Sequence, residues 1–111
     1  MLPKYFIILK NEHKTKMVME INHRKEENKG AFIATENGAK AGEMTYSKAG
    51  DTLIIIDHTE VNPEFNGKGV GKQMVLAAVD YARENGIKIL PLCPFAKATF
   101  DKNKDIQDVL V

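Results

Sequence analysis

Leu53–Ile56 reads Leu-Ile-Ile-Ile, apolar at four successive positions. A strand with one wet face alternates apolar and polar residues, so an unbroken run this short marks a strand covered on both faces inside a sheet. The run passes into polar residues and ends at Val61. By a period of two, Ile54, Ile56, His58 and Glu60 share one face, and Leu53, Ile55, Asp57, Thr59 and Val61 share the other. The loop Asn62–Gly67 holds Pro63. Beyond it Gly71, Met74, Val75, Ala78, Val79 and Ala82 repeat at helical spacing, which predicts a helix from about Gly69 to Asn85, stopped by Asn85-Gly86. Ile87–Leu92 is apolar enough for a further interior strand. Strand, helix, strand in this spacing is a crossover between neighbouring strands.

Upstream, Met17–Asn22, Ala31–Glu36 and Ala41–Ser47 are strand candidates. Arg24–Gly30 is a charged turn, Asn37-Gly38 a hairpin signal because both residues tolerate positive φ, and Ala49-Gly50-Asp51 a second turn. Tyr5–Leu9 reads as an edge strand or as a loosely attached leader, since Asn11–Lys16 is polar and aperiodic. Downstream, Pro94 opens a short helix through Phe100, and Ile106–Val111 is a terminal turn or helix. The expected class is α+β, a mixed and mainly antiparallel sheet with a crossover helix after the central strand and a short C-terminal helix. Residues 1–16 form the leader or edge strand, and 17–111 a single minimal domain.

Bulk numbers exclude several classes of function. The chain has 111 residues, enough for one domain. Sixteen basic residues against fifteen acidic give a net charge of +1, with no broad basic surplus for nucleic acid. The lone cysteine, Cys93, forms no internal disulfide and suits a reducing cytoplasm. No apolar run nears the roughly 18 residues of a membrane span. His13 and His23 lie among polar residues with no ligand-spaced partners, so no metal site is expected. The expected assembly is a monomer or weak dimer, any pairing being through the Tyr5–Leu9 edge.

The segment Asn66-Gly67-Lys68-Gly69-Val70-Gly71-Lys72 lies between the strand and the helix. Glycine allows positive φ and close approach of a ligand to the backbone. A helix start offers unpaired N–H groups and a positive dipole end, and Lys68 and Lys72 add charge; together these suit phosphate. Two known phosphate signatures fail here. A P-loop needs four residues between Gly and Gly-Lys, followed by Ser or Thr, whereas Gly67 and Gly71-Lys72 are three apart and Gln73 follows. The dinucleotide fingerprint needs glycine at position 72, which is lysine.

Strand, then Gln/Arg-x-x-Gly-x-Gly/Ala, then helix resembles the acyl-CoA-binding motif of the GCN5-related N-acetyltransferases. Asn66, Gly69 and Gly71 occupy its positions, with asparagine in place of the usual Gln or Arg. His58-Thr59-Glu60-Val61 and Pro91-Leu92-Cys93-Pro94-Phe95-Ala96 narrow the resemblance to a very small acetyltransferase-like subfamily, over roughly Met17 to Phe100. The resemblance implies acetyl-CoA or coenzyme A as cofactor, its pantetheine beside His58, Thr59, Glu60 and Val61 and its pyrophosphate on Asn66, Gly67, Lys68, Gly69, Val70, Gly71 and Lys72. Cys93 joins the expected cofactor contacts, and Asn103 reads as a cap of a last helix or as a further contact to the coenzyme.

Acetyl transfer requires an amine that has lost its proton, a donor for the thioester oxygen, and in some cases a proton for the departing thiolate. His58 and Glu60 are candidate bases; each also reads as an ordinary strand-end side chain. Cys93, placed at an N-cap by Pro94, is a candidate nucleophile, because a positive helix end favours thiolate; free cysteines are also commonly just buried. Tyr81 and Phe95 read as core, and Lys97, Lys102 and Lys104 as solvated. Larger relatives carry two acceptor-side helices after the first strand, and these are missing here. The expected activity is acetyl transfer to an unidentified amine, a small amine or a protein lysine. The alternative is a non-catalytic CoA or acyl-CoA-binding module.

Overall fold

The computed structural model describes residues 5–10 and 16–111. Residues 1–4 and 11–15 of the expected leader, His13 among them, lie outside the described residues. The elements are β1 (Tyr5–Lys10), β2 (Lys16–Lys25), β3 (Lys29–Glu36), β4 (Ala39–Lys48), β5 (Leu53–Val61), α1 (Val70–Asn85), β6 (Lys88–Pro91) and α2 (Pro94–Lys102). Short 3-10 helices fill Pro63–Phe65 and Lys104–Val109. The strands form one sheet in the order of the sequence. Neighbours are antiparallel except β5 and β6, which are parallel, as the crossover through α1 requires. The α+β class, the mainly antiparallel sheet and the two helices are as the sequence predicts.

Boundaries differ where polar residues hide strand ends. Arg24–Gly30 is not a seven-residue turn: Arg24 pairs with Ala31 and Lys25 with Gly30, and the amide of Glu26 donates to the Lys29 carbonyl at 2.9 Å. The ladder continues through charged residues because their backbone pairs as well as any other. The β3–β4 connection is the expected tight turn, with Asn37 at φ 50° and Gly38 at φ 86°, the left-handed pair that a two-residue hairpin demands.

One face of the sheet carries the core. Met19, Ile21, Phe32, Met44, Ile54 and Ile56 from the sheet pack with Met74, Val75, Ala78, Val79 and Ala82 from α1 and with Ala96 and Phe100 from α2. The helical spacing read from the sequence is therefore the buried stripe of α1. Gly69 and Gly86 bound that helix, both left-handed. At the far end from the glycine loop an aromatic group joins sheet to helix. His23 stacks on Phe32 with ring centroids 4.1 Å apart and meets Tyr81 edge-on at 4.4 Å. Its Nε2 lies 2.6 Å from the Tyr46 hydroxyl. Burial, and then the Tyr81 phenol, push Tyr46 up to about 12. His23, read as a polar-surface residue, thus belongs to packing. No helix among the described residues is long and apolar enough to cross a membrane.

Gly30 makes that aromatic packing possible. A Cβ there would overlap the Tyr46 ring and hydroxyl and sit 2.7 Å from the Arg24 carbonyl oxygen. Gly30→Ala is therefore expected to destabilise the fold by roughly 1–3 kcal/mol through overpacking. The measurement is urea unfolding at an unchanged m-value; stability within a few tenths of the parent would show that the Tyr46 ring moves freely.

Candidate functional site

The site begins where β5 and β6 separate. Their parallel pairing runs from Leu53 with Lys88 to Ile56 with Pro91 and then stops. The amides of Leu92 and Cys93 both donate to the Ile56 carbonyl at 3.1 Å, which ends the ladder and turns the chain into α2. Beyond that point Asp57–Val61 keeps β4 as its ladder partner on one side only.

At the same place β5 carries an extra residue. Tyr46 pairs with Ile56 but Thr45 pairs with His58, so Asp57 is a bulge. Residues directly opposite in a ladder share a face. His58, opposite Thr45, and Glu60, opposite Glu43, therefore lie on the face away from the core, while Thr59 and Val61 turn to the helix side. The uninterrupted alternation read from the sequence is corrected here: Ile54 and Ile56 do not share a face with His58 and Glu60. One inserted residue reverses every side chain after it. Nor is the strand covered on both sides, since Leu53 and Ile55 are only half-buried.

On the helix side lies a cleft of about 480 Å³. Thr59 and Val61 form one wall, Phe65, Asn66, Gly67 and Gly69 a second, the first turn of α1 from Val70 to Lys72 the floor, and Phe95 of α2 the remaining wall. Gly67 and Gly69 have φ of 79° and 76°, a left-handed backbone that costs other residues about 1–2 kcal/mol. No side chain caps α1, so the first-turn N–H groups remain available to an anion. Lys72 lines the cleft, whereas Lys68 holds its ammonium 5.5 Å above the Phe65 ring.

Gly71 serves a different purpose from its two neighbours. Its φ is not positive, but a Cβ there would collide with the Phe95 ring, lying 2.6 Å from Cε1. It is glycine so that α1 and the Phe95 ring can touch. Phe95 itself is 43% exposed, a correction to its reading as core and a cleft residue that composition and periodicity do not reveal.

Cys93 stands at the N-cap of α2 with Pro94 at the first helical position. It is only 4% exposed and lies behind Thr59, with Sγ 3.3 Å from Oγ1. Burial acts first and pushes the thiol up. The Thr59 hydroxyl and the backbone groups of Ala96, Phe95 and Thr59 together outweigh it, so the net direction is down, toward thiolate. Asn103, also expected at the cofactor, sits at the other end of α2. Its Nδ2 donates to the Thr99 carbonyl at 2.7 Å, satisfying a helix-end carbonyl, and it is outside the cleft lining.

The opposite face is open and polar. A second hollow of about 360 Å³ there is bordered by Lys40, Glu43, Glu60 and Val61. The hydrogen bond from Lys40 comes first among the causes that hold the Glu43 carboxyl low; burial opposes it, and the charges of Lys40, Arg24 and His58 reinforce it. A carboxylate held so is a weak base, and His58 and Glu60 share that face with it. Among the described residues no group of three or more potential ligands is placed to hold a metal ion.

A sheet opened between a bulged strand and its parallel neighbour, with a glycine loop leading into the crossover helix, is the architecture of an N-acetyltransferase-like fold. The model of the GCN5-related N-acetyl-transferase family matches residues 31–109, and the chain belongs to that family. A GCN5-like protein from Staphylococcus aureus, with a solution structure by NMR, is 41% identical over 81% of this chain and 87% of its own, with a TM-score of 0.60. The ribosomal-protein-S18-alanine N-acetyltransferase of Escherichia coli shares the fold at 18% identity and a TM-score of 0.60, matching 70% of this chain but only 53% of its own length. A transcriptional regulator from Bacillus halodurans shares it at 19% identity and a TM-score of 0.57, over 70% of this chain and 59% of its own. The comparison with curated proteins found no match.

The Thr59 contact makes the state of the thiol measurable. Thr59→Val removes the hydroxyl at nearly constant shape. Because the native pKa is lowered, losing a donor moves the midpoint of Cys93 alkylation to higher pH and slows alkylation at pH 7 by roughly two- to fivefold. An unmoved midpoint would assign the lowering to the backbone groups alone.

Proposed function

We propose that the protein binds acetyl-CoA in the cleft beside β5 and transfers the acetyl group to an amine, either a small amine or a protein lysine. The observation that carries this reading is the convergence of three features at one groove, two lining it and one buried beside it. These are the unpaired edge of Asp57–Val61, the uncapped N-terminus of α1 behind two left-handed glycines, and the thiol of Cys93 directly behind Thr59. The amides of the loop and of α1 hold the pyrophosphate, and Lys72 adds charge. The edge of β5 offers N–H and C=O groups to the amides of pantetheine, as an added strand would. Acetyl-CoA supplies an activated acetyl thioester.

The chain then has to remove a proton from the amine. Glu60 and His58 face the side of the sheet opposite the cleft, so an acceptor arriving there meets them at the parted strand while the donor stays on the helix side. Cys93 serves one of two routes. In the first its thiolate displaces the CoA thiolate and holds the acetyl group as a thioester, which the amine then cleaves, restoring the Cys93 thiolate; in the second the amine displaces the CoA thiolate directly. Burial of Sγ behind Thr59 favours the direct route. The single cysteine suits a cytoplasmic setting.

A second reading has its own observation. The β2–β3 connection is only Glu26–Asn28, so no helices wall the open face. A non-catalytic CoA or acyl-CoA-binding module would have no need of an acceptor pocket.

Titration with CoA, followed by amide chemical shifts, tests the cofactor. Shifts are expected at Thr59 and throughout Gly67–Lys72; an unperturbed glycine loop would make it a structural turn. Gly69→Ala, which strains the left-handed position by about 1–2 kcal/mol, is expected to weaken CoA binding roughly tenfold. For turnover, loss of acetyl-CoA should require an amine and fall in Glu60→Gln. Cys93→Ser retaining full transfer would remove the two-step route, and CoA binding without turnover over a broad amine panel would favour the module.

A further inference from the structure

We infer that Phe95 is a specificity-determining residue of the cofactor cleft, seating the apolar portion of the pantetheine arm and so distinguishing CoA from its bare nucleotide. The inference rests on the reading of the cleft as a CoA site and adds a contact that the glycine loop cannot supply. The cleft has two chemically different ends. One is the backbone of Asn66–Lys72, suited to phosphate and indifferent to what the phosphate is attached to. The other is made of Val61, Thr59 and the ring of Phe95.

Phe95 is nearly half exposed, whereas Phe32, Tyr46, Phe65, Tyr81 and Phe100 are buried. Nothing in the packing of α2 demands an aromatic ring here. The core side of that helix is supplied by Ala96, Thr99 and Phe100. The ring is nonetheless held in place, because it rests directly on Gly71, where no side chain larger than hydrogen fits beneath it. The backbone carbonyl of Phe95 also accepts a hydrogen bond from Thr99 Oγ1 at 3.0 Å. An apolar surface kept exposed and rigid at the edge of a polar cleft binds the apolar part of a ligand whose polar part the cleft already holds. In CoA the group that follows the pyrophosphate is a gem-dimethyl carbon, and the amides of pantetheine come after it. Adenosine 3′,5′-bisphosphate carries the nucleotide without this arm. Phe95 therefore contributes to one ligand and not to the other.

Calorimetric titration of the full chain with CoA and with adenosine 3′,5′-bisphosphate tests this. Covering the exposed part of a phenylalanine is worth about tenfold in affinity. Phe95→Ala is expected to weaken CoA by about tenfold while changing the bisphosphate less than twofold. Phe95→Leu, which keeps apolar bulk, is expected to stay within about threefold of the parent for both. Equal losses for the two ligands in Phe95→Ala, or no loss for CoA, would overturn the inference while leaving the CoA site standing. Failure of the unaltered protein to bind CoA would instead overturn the cofactor reading, and this inference with it. If Phe95→Ala does not fold, Phe95→Gln, which keeps length but not apolar surface, decides: a loss of CoA affinity with an intact bisphosphate affinity supports the apolar seat, and equal changes in both refute it.

Discussion

The parting of β5 from β6 is the constraint on which the site depends. A parallel pair held together by a crossover helix would ordinarily stay paired to its ends. Here the Ile56 carbonyl accepts two successive amides, those of Leu92 and Cys93, and the second strand is committed to a helix three residues after its last ladder pair. Pro94 makes that commitment firm, since proline at the first helical turn fixes φ and has no N–H to return to the sheet. The bulge at Asp57 acts on the other strand at the same level. Each device alone would leave a frayed strand end. Together they leave a strand edge with unpaired polar groups next to the start of α1. Such an edge is a liability unless something pairs with it, and an extended, amide-bearing ligand is chemically a strand.

The two faces of β5 divide the chemistry. On the helix side are backbone N–H groups, one cationic lysine and a thiol held low, all of which suit an anionic, thioester-bearing ligand. On the open side Glu43 is neutralised by Lys40 and Arg24, and Glu60 stands across the ladder from it. Two carboxylates in direct register would repel if both lacked counter-charges. The pairing of Glu43 with cations makes the register tolerable.

Much of this was legible in the chain itself. The buried stripe of α1, the turn at Asn37-Gly38, the N-cap at Cys93 and the glycine loop each follow from local rules: helical period, positive φ, proline's missing donor, and glycine's freedom. What escaped was set by tertiary geometry. A bulge leaves no mark on a period-two reading, because the inserted Asp57 looks like any polar residue after an apolar run, so the faces of His58 and Thr59 were exchanged. Phe95 looks like core by composition, and only its seat on Gly71 shows that it borders a cleft. Asn103 reads from the sequence as a helix cap or a coenzyme contact, and its amide satisfies a helix-end carbonyl. The charged stretch at Arg24–Gly30 hid the strand ends because backbone pairing does not depend on side-chain polarity.

The three glycines of the loop show why a motif is not one physical requirement. Gly67 and Gly69 are fixed by backbone conformation, and their Cβ positions point to open space. Gly71 has ordinary helical geometry and is fixed by a neighbour. The family pattern admits alanine at that position, but in this chain alanine would meet the Phe95 ring. The constraint at 71 thus originates in α2, more than twenty residues away in sequence, and it ties the first turn of α1 to the segment that carries Cys93.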